Sequence, residues 1–339
     1  MIITQFEKLF FLIAVITSYS FAGSHIDPMT PTNNLPFECK IIFSDEFNSS
    51  EIDTDKWNIG INKNNIQNFG VDCVYQWENV SIREGNLVLM QKFEPSFVKG
   101  KVWGNQTGID FNYSSGGLNT EGIFNLENNM YVEICIKLPN NPGGYAAFWG
   151  MANRNDPIVQ NKVELDFFEY IANQKKRKFW SGLWWHEFAP DEVADYVSES
   201  DRYYKKPNHI FIKNQKHRAH FQSTDSLYLK NINYDKYIKF GFLVTDKKMG
   251  WFVCDNGYPL ENRPYLVFKG GEVHSPAYSV LWAREDKWIR EIPNPLKSSL
   301  IINYAMRSSD WAGGPIDHEK LPAEMLVDYI RVYQLQNFK

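Results

Sequence analysis

Long apolar runs, paired cysteines, amphipathic helices and net charge are all scarce in this chain, and each scarcity removes a class of function. The formal net charge is −4 over 339 residues, so no electrostatic field favours a nucleic-acid partner. The one long apolar run, residues 9–16 behind Lys8, falls well short of the ~20 residues that a membrane-spanning helix needs. Followed by the small-residue exit Ser20-Phe21-Ala22-Gly23, it reads as an export signal over residues 1–22, cleaved after Ala22. The mature protein is then secreted, periplasmic or held at the cell surface, with no membrane span. No cysteine lies near Ala22 to carry a lipid.

The four cysteines, Cys39, Cys73, Cys135 and Cys254, include no C-x-x-C pair, so no zinc site is indicated. Export permits disulfides; three full pairings exist, and buried free thiols are the alternative. Asn48, Asn79, Asn105 and Asn112 each open an Asn-x-Ser/Thr sequon, which matters only where exported proteins are glycosylated. No solenoid-length repeat is visible. Beyond a polar, proline-containing lead-in at 23–36 there is no linker, so residues 37–337 read as one catalytic domain, with no separate binding module and a monomeric state.

What is abundant is aromatic. Eleven Trp, 18 Tyr and 24 Phe make up 16% of the chain. Such residues favour strands, and flat rings also stack on sugars. Strand-like runs begin near residue 37 and continue through 39–43, 80–82, 87–91, 131–138, 145–149, 178–185, 209–212, 238–244, 251–254, 300–304 and 325–333. Turn signals such as Glu84-Gly85-Asn86 and Pro139-Asn140-Asn141-Pro142-Gly143-Gly144 separate them. With no long amphipathic helix between them, parallel crossover topology is excluded in favour of an all-β antiparallel sandwich of jelly-roll type.

One run is anomalous. Val163-Glu164-Leu165-Asp166-Phe167-Phe168-Glu169-Tyr170 places three carboxylates inside an apolar, aromatic strand, where unpaired charge is costly. Strand alternation puts Glu164 and Asp166 on one face and Glu169 on the other. One extra residue between Asp166 and Glu169, a β-bulge, unites all three, and bulges concentrate beside active sites. Two carboxyls on one face, one ionised and one protonated, are what glycoside hydrolysis requires; a short separation suits a retaining, double-displacement route.

Further residues carry a family resemblance. Phe43-Ser44-Asp45-Glu46-Phe47 with Ile52-Asp53 and Lys56-Trp57, then Ser114-Ser115-Gly116-Gly117-Leu118-Asn119-Thr120, Glu133 to Lys137-Leu138-Pro139, Ala146-Ala147-Phe148-Trp149, Glu164-x-Asp166-x-x-Glu169 and the ending Val327-Asp328-Tyr329-Ile330-Arg331-Val332-Tyr333-Gln334 resemble glycoside hydrolase family 16, in order and over nearly the whole mature chain. The resemblance implies a concanavalin-like β-jelly roll with a concave cleft for a polysaccharide. It implies Glu164 as nucleophile, Glu169 as general acid/base, and Asp166 between them, bonded to the nucleophile and helping to keep Glu169 protonated. The reversed assignment of the two glutamates stays open. Trp149 matches the family's stacking tryptophan, and Asn303, Arg307 and Trp311 sit where the family has cleft residues. Strand parity adds Trp184 and His186 on one face of the next strand, with Trp77 and Tyr75 as weaker candidates. Glu46, Gly85 and Asp328 match a structural Ca²⁺ site; no cofactor is required for the reaction.

Three departures bear on the substrate. Val163 takes the family's usual Gly position, Asp156-Pro157 stands where a Trp-Pro pair belongs, and Cys135 replaces the Arg of Glu-x-Arg-x-Lys. The basic run Lys175-Lys176-Arg177-Lys178 is either a solvated loop or a contact for sulfate groups. The expectation is an endo-acting hydrolase of internal β-1,3 or β-1,4 linkages, leaning to a galactan-type or decorated polymer. The alternatives are a β-1,3(4)-glucanase or laminarinase, a transglycosylase, and a catalytically silent carbohydrate-binding protein.

Overall fold

A computed structural model describes residues 38–67, 71–102, 105–152, 162–172, 179–188, 209–212, 218–227, 235–245, 249–255, 268–269, 272–273, 295–308 and 315–336. In chain order the strands are β1 Glu38–Asp45, β2 Asn58–Ile59, β3 Ile66–Gln67, β4 Val74–Tyr75, β5 Val80–Arg83, β6 Asn86–Val102, β7 Asn105–Ser115, β8 Gly117–Asn119, β9 Met130–Lys137, β10 Gly144–Ala152, β11 Lys162–Ile171, β12 Phe179–Phe188, β13 His209–Ile212, β14 Arg218–Leu227, β15 Tyr237–Val244, β16 Met249–Asp255, β17 Phe268–Lys269, β18 Glu272–Val273, β19 Ser298–Met306 and β20 Ala323–Gln336. The export signal and the lead-in lie outside the described residues. No helix among the described residues is long and apolar enough to cross a membrane.

Two sheets carry the fold. One runs β16-β15-β9-β20-β6-β7-β4, with β1 on β20 and β3 and β5 on β6; the other runs β13-β14-β12-β11-β10-β19-β8-β2. Their long pairings are antiparallel, as the turn-separated pattern requires. The alternating apolar residues explain the stacking. Val132, Ile134 and Ile136 of β9 and Phe240 and Phe242 of β15 meet Phe148 of β10, Leu165, Phe167 and Phe168 of β11, and Ile302 of β19 in one core. Ring pairs tie the sheets together: Phe167 stacks on Phe242 at 4.5 Å and Phe168 on Phe240 at 4.3 Å between centroids. This is the all-β jelly-roll sandwich expected from the sequence.

The two motifs at the chain's ends do structural work. Asp45 accepts from the backbone N–H of Phe47 and from Nε1 of Trp57, both at 2.9 Å, which fixes the exit from β1. Arg331 of β20 donates from Nε and Nη2 to the two oxygens of Glu46 at 2.8 and 2.7 Å, and its guanidinium lies 3.8 Å over the Tyr329 ring. Bidentate geometry of this kind is the strong form of the ion pair. It clamps the first strand to the last.

Every strand run read from the sequence is present. Two long strands escaped that reading, β7 and β14, along with the two- and three-residue strands β2, β3, β4, β8, β17 and β18. Both long strands are rich in polar residues and are set in place by their partners, β6 for β7 and β12 for β14. At Glu84-Gly85, φ values of +53° and +72° make the tight primed turn that joins β5 to β6. Cys73 and Cys135 are buried free thiols, so neither takes part in a disulfide; the side chains of Cys39 and Cys254 lie outside the description. Of the sequons, Asn79 is 2% exposed and bonded to Met90 and Ser114, which closes it to glycosylation.

Candidate active site

The register of β11 departs from regularity where expected. Against β10, Phe148 pairs with Phe168 and Trp149 with Asp166, so Phe167 is the extra residue. Against β12 the shift falls between Asp166 and Glu169. Phe167 and Phe168 both turn into the core. The bulge therefore returns Glu169 to the face of Glu164 and Asp166, and all three carboxylates line a single open cavity.

Neighbouring strands complete its walls. Tyr145, Ala147 and Trp149 come from β10, one residue in two, as pleating demands. Asn303 and Ala305 come from β19, Arg307 lies just beyond it, Tyr75 belongs to β4, and Ile61 and Val71 lie in the preceding loops. Trp149 is oriented by a hydrogen bond from its Nε1 to Oδ1 of Asn303 at 2.7 Å. The Arg307 guanidinium lies 5.1 Å over the Tyr145 ring, and its backbone N–H donates to Gly143 at 3.0 Å. The Tyr145 hydroxyl donates to Oε1 of Glu169.

Electrostatics separates the acids. Burial pushes the Glu169 carboxyl from its ordinary 4.5 up to about 7; the Tyr145 hydroxyl opposes this, the charge of Glu164 adds to it, and Arg307 opposes it. One carboxyl in the cavity thus keeps a proton near neutrality beside others on the same face, the division of labour that acid–base catalysis at a sugar bond uses.

The structure brings together Glu164, Asp166, Glu169, Trp149, Asn303 and Arg307 from the sequence-derived set. Trp77 is not among the residues lining the cavity. It sits on a short 3-10 turn, Trp77–Asn79, and is 41% exposed; the ring two residues earlier, Tyr75, lines the cavity instead. Trp184 and His186 belong to β12, opposite Glu164 and Lys162 in register, and their side chains lie outside the described residues, as does Trp311. So do Asp156-Pro157 and the basic run Lys175 to Lys178. Tyr145 was missed. Alternation from Trp149 back through Ala147 points to it, since its strand had been recognised.

The calcium expectation does not fit the residues present. Both oxygens of Glu46 are taken by Arg331. Asp328 is held by burial and by the Cys135 thiol, and burial raises its pKa. Among the described residues no cluster of three or more acidic, His or Cys side chains is placed to hold a metal.

Comparison with known proteins places this geometry. No family model matches the chain. Over 331 residues, 96% of this chain and 93% of the relative, it is 24% identical to a beta-glucanase of Rhodothermus marinus. It superposes on a non-specific endo-β-1,3(4)-glucanase from family GH16 with a TM-score of 0.59 at 21% identity, covering 89% of this chain and 94% of that one. It also superposes on a protein of the human gut microbiota, among endo-acting O-glycanases that initiate mucin breakdown, with a TM-score of 0.60 at 20% identity, covering 89% and 93%. At these identities the likeness establishes the fold, which is that of the family GH16 glucanases, and the resemblance read from the sequence is borne out at that level.

Proposed function

We propose that this chain is an exported, endo-acting retaining β-glycoside hydrolase acting on a polysaccharide. The observation that carries the reading is the bulge at Phe167, which gathers Glu164, Asp166 and Glu169 in one cavity, together with the retention of a proton on Glu169 to about pH 7. In the first half-reaction Glu164 attacks the anomeric carbon while Glu169 gives its proton to the departing sugar oxygen. In the second, water attacks that carbon, Glu169 takes the water's proton, and Glu164 leaves. Asp166, on the same face between the two glutamates, adds negative charge that disfavours ionisation of Glu169 before attack. The ring of Trp149 offers a stacking surface for a sugar.

For the substrate we favour a galactan-type or otherwise decorated β-linked polymer, because Arg307 adds a cation to the cavity wall; Val163 and Cys135, which depart from the glucanase pattern, are buried away from that wall. Similarity to glucanases supports the second reading, a plain β-1,3(4)-glucan. A reducing-end screen across laminarin, mixed-linkage glucan, agarose, porphyran, carrageenans and poly-N-acetyllactosamine decides between them. Glu164→Ala and Glu169→Ala are each expected to abolish turnover. Azide is expected to rescue Glu164→Ala with an inverted product and Glu169→Ala with a retained one; the opposite pattern exchanges the two roles. An absence of new reducing ends on every polymer defeats the hydrolase reading.

A further inference from the structure

Beside the three carboxylates, one polar contact in the cavity has no role in the mechanism above: the Tyr145 hydroxyl on Oε1 of Glu169. Tyr145 is buried, 6% exposed, and belongs to β10, which pairs directly with the catalytic strand. Its ring is covered on one side by Arg307. Burial and the nearby Glu169 charge hold its phenol well above the ordinary value of 10, so it keeps its proton through the range in which Glu169 titrates. In a protonated carboxyl the carbonyl oxygen is the better acceptor, so the oxygen that takes such a bond is the one without the proton.

We propose that Tyr145 is the positioning residue of the acid/base: by occupying Oε1 of Glu169 it assigns the transferable proton to Oε2 and aims that oxygen at the glycosidic bond. This rests on the reading of Glu169 as acid/base. The proton that leaves Oε2 goes to the leaving oxygen as that oxygen's bond to the anomeric carbon breaks and the Glu164 bond forms. In the second half-reaction it is Oε2 that receives the proton of water.

The same contact moderates the carboxyl's titration, which burial raises. The groups facing Glu169 are Glu164 and Asp166 from its own strand, Tyr145 from β10, Arg307 beyond β19 and Tyr75 from β4; the side chains of β12 lie outside the described residues. Burial and Glu164 drive the proton on, while Tyr145 and Arg307 drive it off. A donor bonded to the charged form stabilises that form. Removing the hydroxyl therefore leaves the upward forces opposed by Arg307 alone.

The test is Tyr145→Phe, which deletes one oxygen and keeps the ring. The Glu169 carboxyl is followed by ¹³C NMR titration, its signal assigned by its loss in Glu169→Gln. An upward shift of about one unit is expected, the size of one hydrogen bond to a charged group. The alkaline limb of kcat/KM on polysaccharide should move up with it, and kcat on unactivated substrate should fall about ten-fold or more. An aryl glycoside with an activated leaving group, which needs no proton, should keep its glycosylation rate. 3-Fluorotyrosine at position 145, a stronger donor, should shift the carboxyl downward, and it keeps the test decisive if Tyr145→Phe does not fold. A Glu169 titration and an alkaline limb that stay in place in both variants overturn the proposal. The NMR arm needs no turnover, so an inactive wild type defeats the hydrolase reading while still deciding the role of Tyr145.

Discussion

Nε1 of Trp149 donates to Oδ1 of Asn303 at 2.7 Å, with both residues more than nine-tenths buried. The bond crosses from β10 to β19 on the cleft face and locks the edge of the indole, so the orientation of the ring is decided by a residue far along the chain. Asn303→Ala should strand the indole N–H, at a cost of about 1–3 kcal/mol, and loosen the ring. Urea unfolding reads the first effect and a raised KM on polysaccharide the second. An unchanged KM would show that Trp149 does not hold sugar.

The Glu169 carboxyl couples stability to pH. Its pKa is raised from 4.5 in the free group to about 7 in the folded protein, so the folded state binds a proton that the unfolded chain releases. The stabilisation is complete below pH ~4.5 and is lost as pH rises through about 7. Glu169→Gln should flatten this part of the stability curve, so that its stability relative to the wild type improves by on the order of 3 kcal/mol between pH ~4 and pH ~8. Denaturant melts at several pH values measure it. In the wild type, kcat/KM should fall about ten-fold per unit above that pH as the acid ionises.

The Glu46–Arg331 clamp engages both oxygens of the Glu46 carboxylate with a side chain. Chelation with EDTA, or addition of millimolar Ca²⁺, should leave Tm unchanged. Arg331→Ala strips Glu46 of its partner and Tyr329 of its cover, and should cost about 3 kcal/mol. A Tm that rises with Ca²⁺ in the wild type would mean that Glu46 and Asp328 do take the ion.

Phe167 is the residue that makes the bulge, and its side chain is a core ring. Deleting it restores strict alternation and turns Glu169 toward the apolar core. No turnover above that of Glu169→Ala is expected from the deletion. Phe167→Leu keeps the residue count and should retain activity while costing about 1–2 kcal/mol. Activity in the deletion variant would show that the bulge is not what aims Glu169.

The acids were legible before any coordinates because their spacing broke a rule: three carboxylates at i, i+2 and i+5 cannot share a face on a regular strand, and the bulge is the local remedy. Tyr145 was equally accessible by parity, two and four residues from Ala147 and Trp149, yet tyrosine in an aromatic strand reads first as core. The calcium triplet shows a limit of the opposite kind. Glu46 and Asp328 stand at suitable sequence positions, and nothing local says that Arg331 reaches back to claim Glu46 or that the Cys135 thiol meets Asp328. β7 and β14 escaped because their polar sequences are held as strands by neighbours, and pairing across a sheet leaves little trace in the residues themselves.

The sequence by itself therefore determined the class of fold, the strand that carries the acids and the place where that strand must bulge, since all three follow from alternation, a property of adjacent residues. Only the tertiary structure decided which carboxyl keeps its proton. That depends on desolvation in the cavity wall, on a hydroxyl from β10 and on a guanidinium from beyond β19, and charge–charge and desolvation energies depend on distance through space, not on separation along the chain.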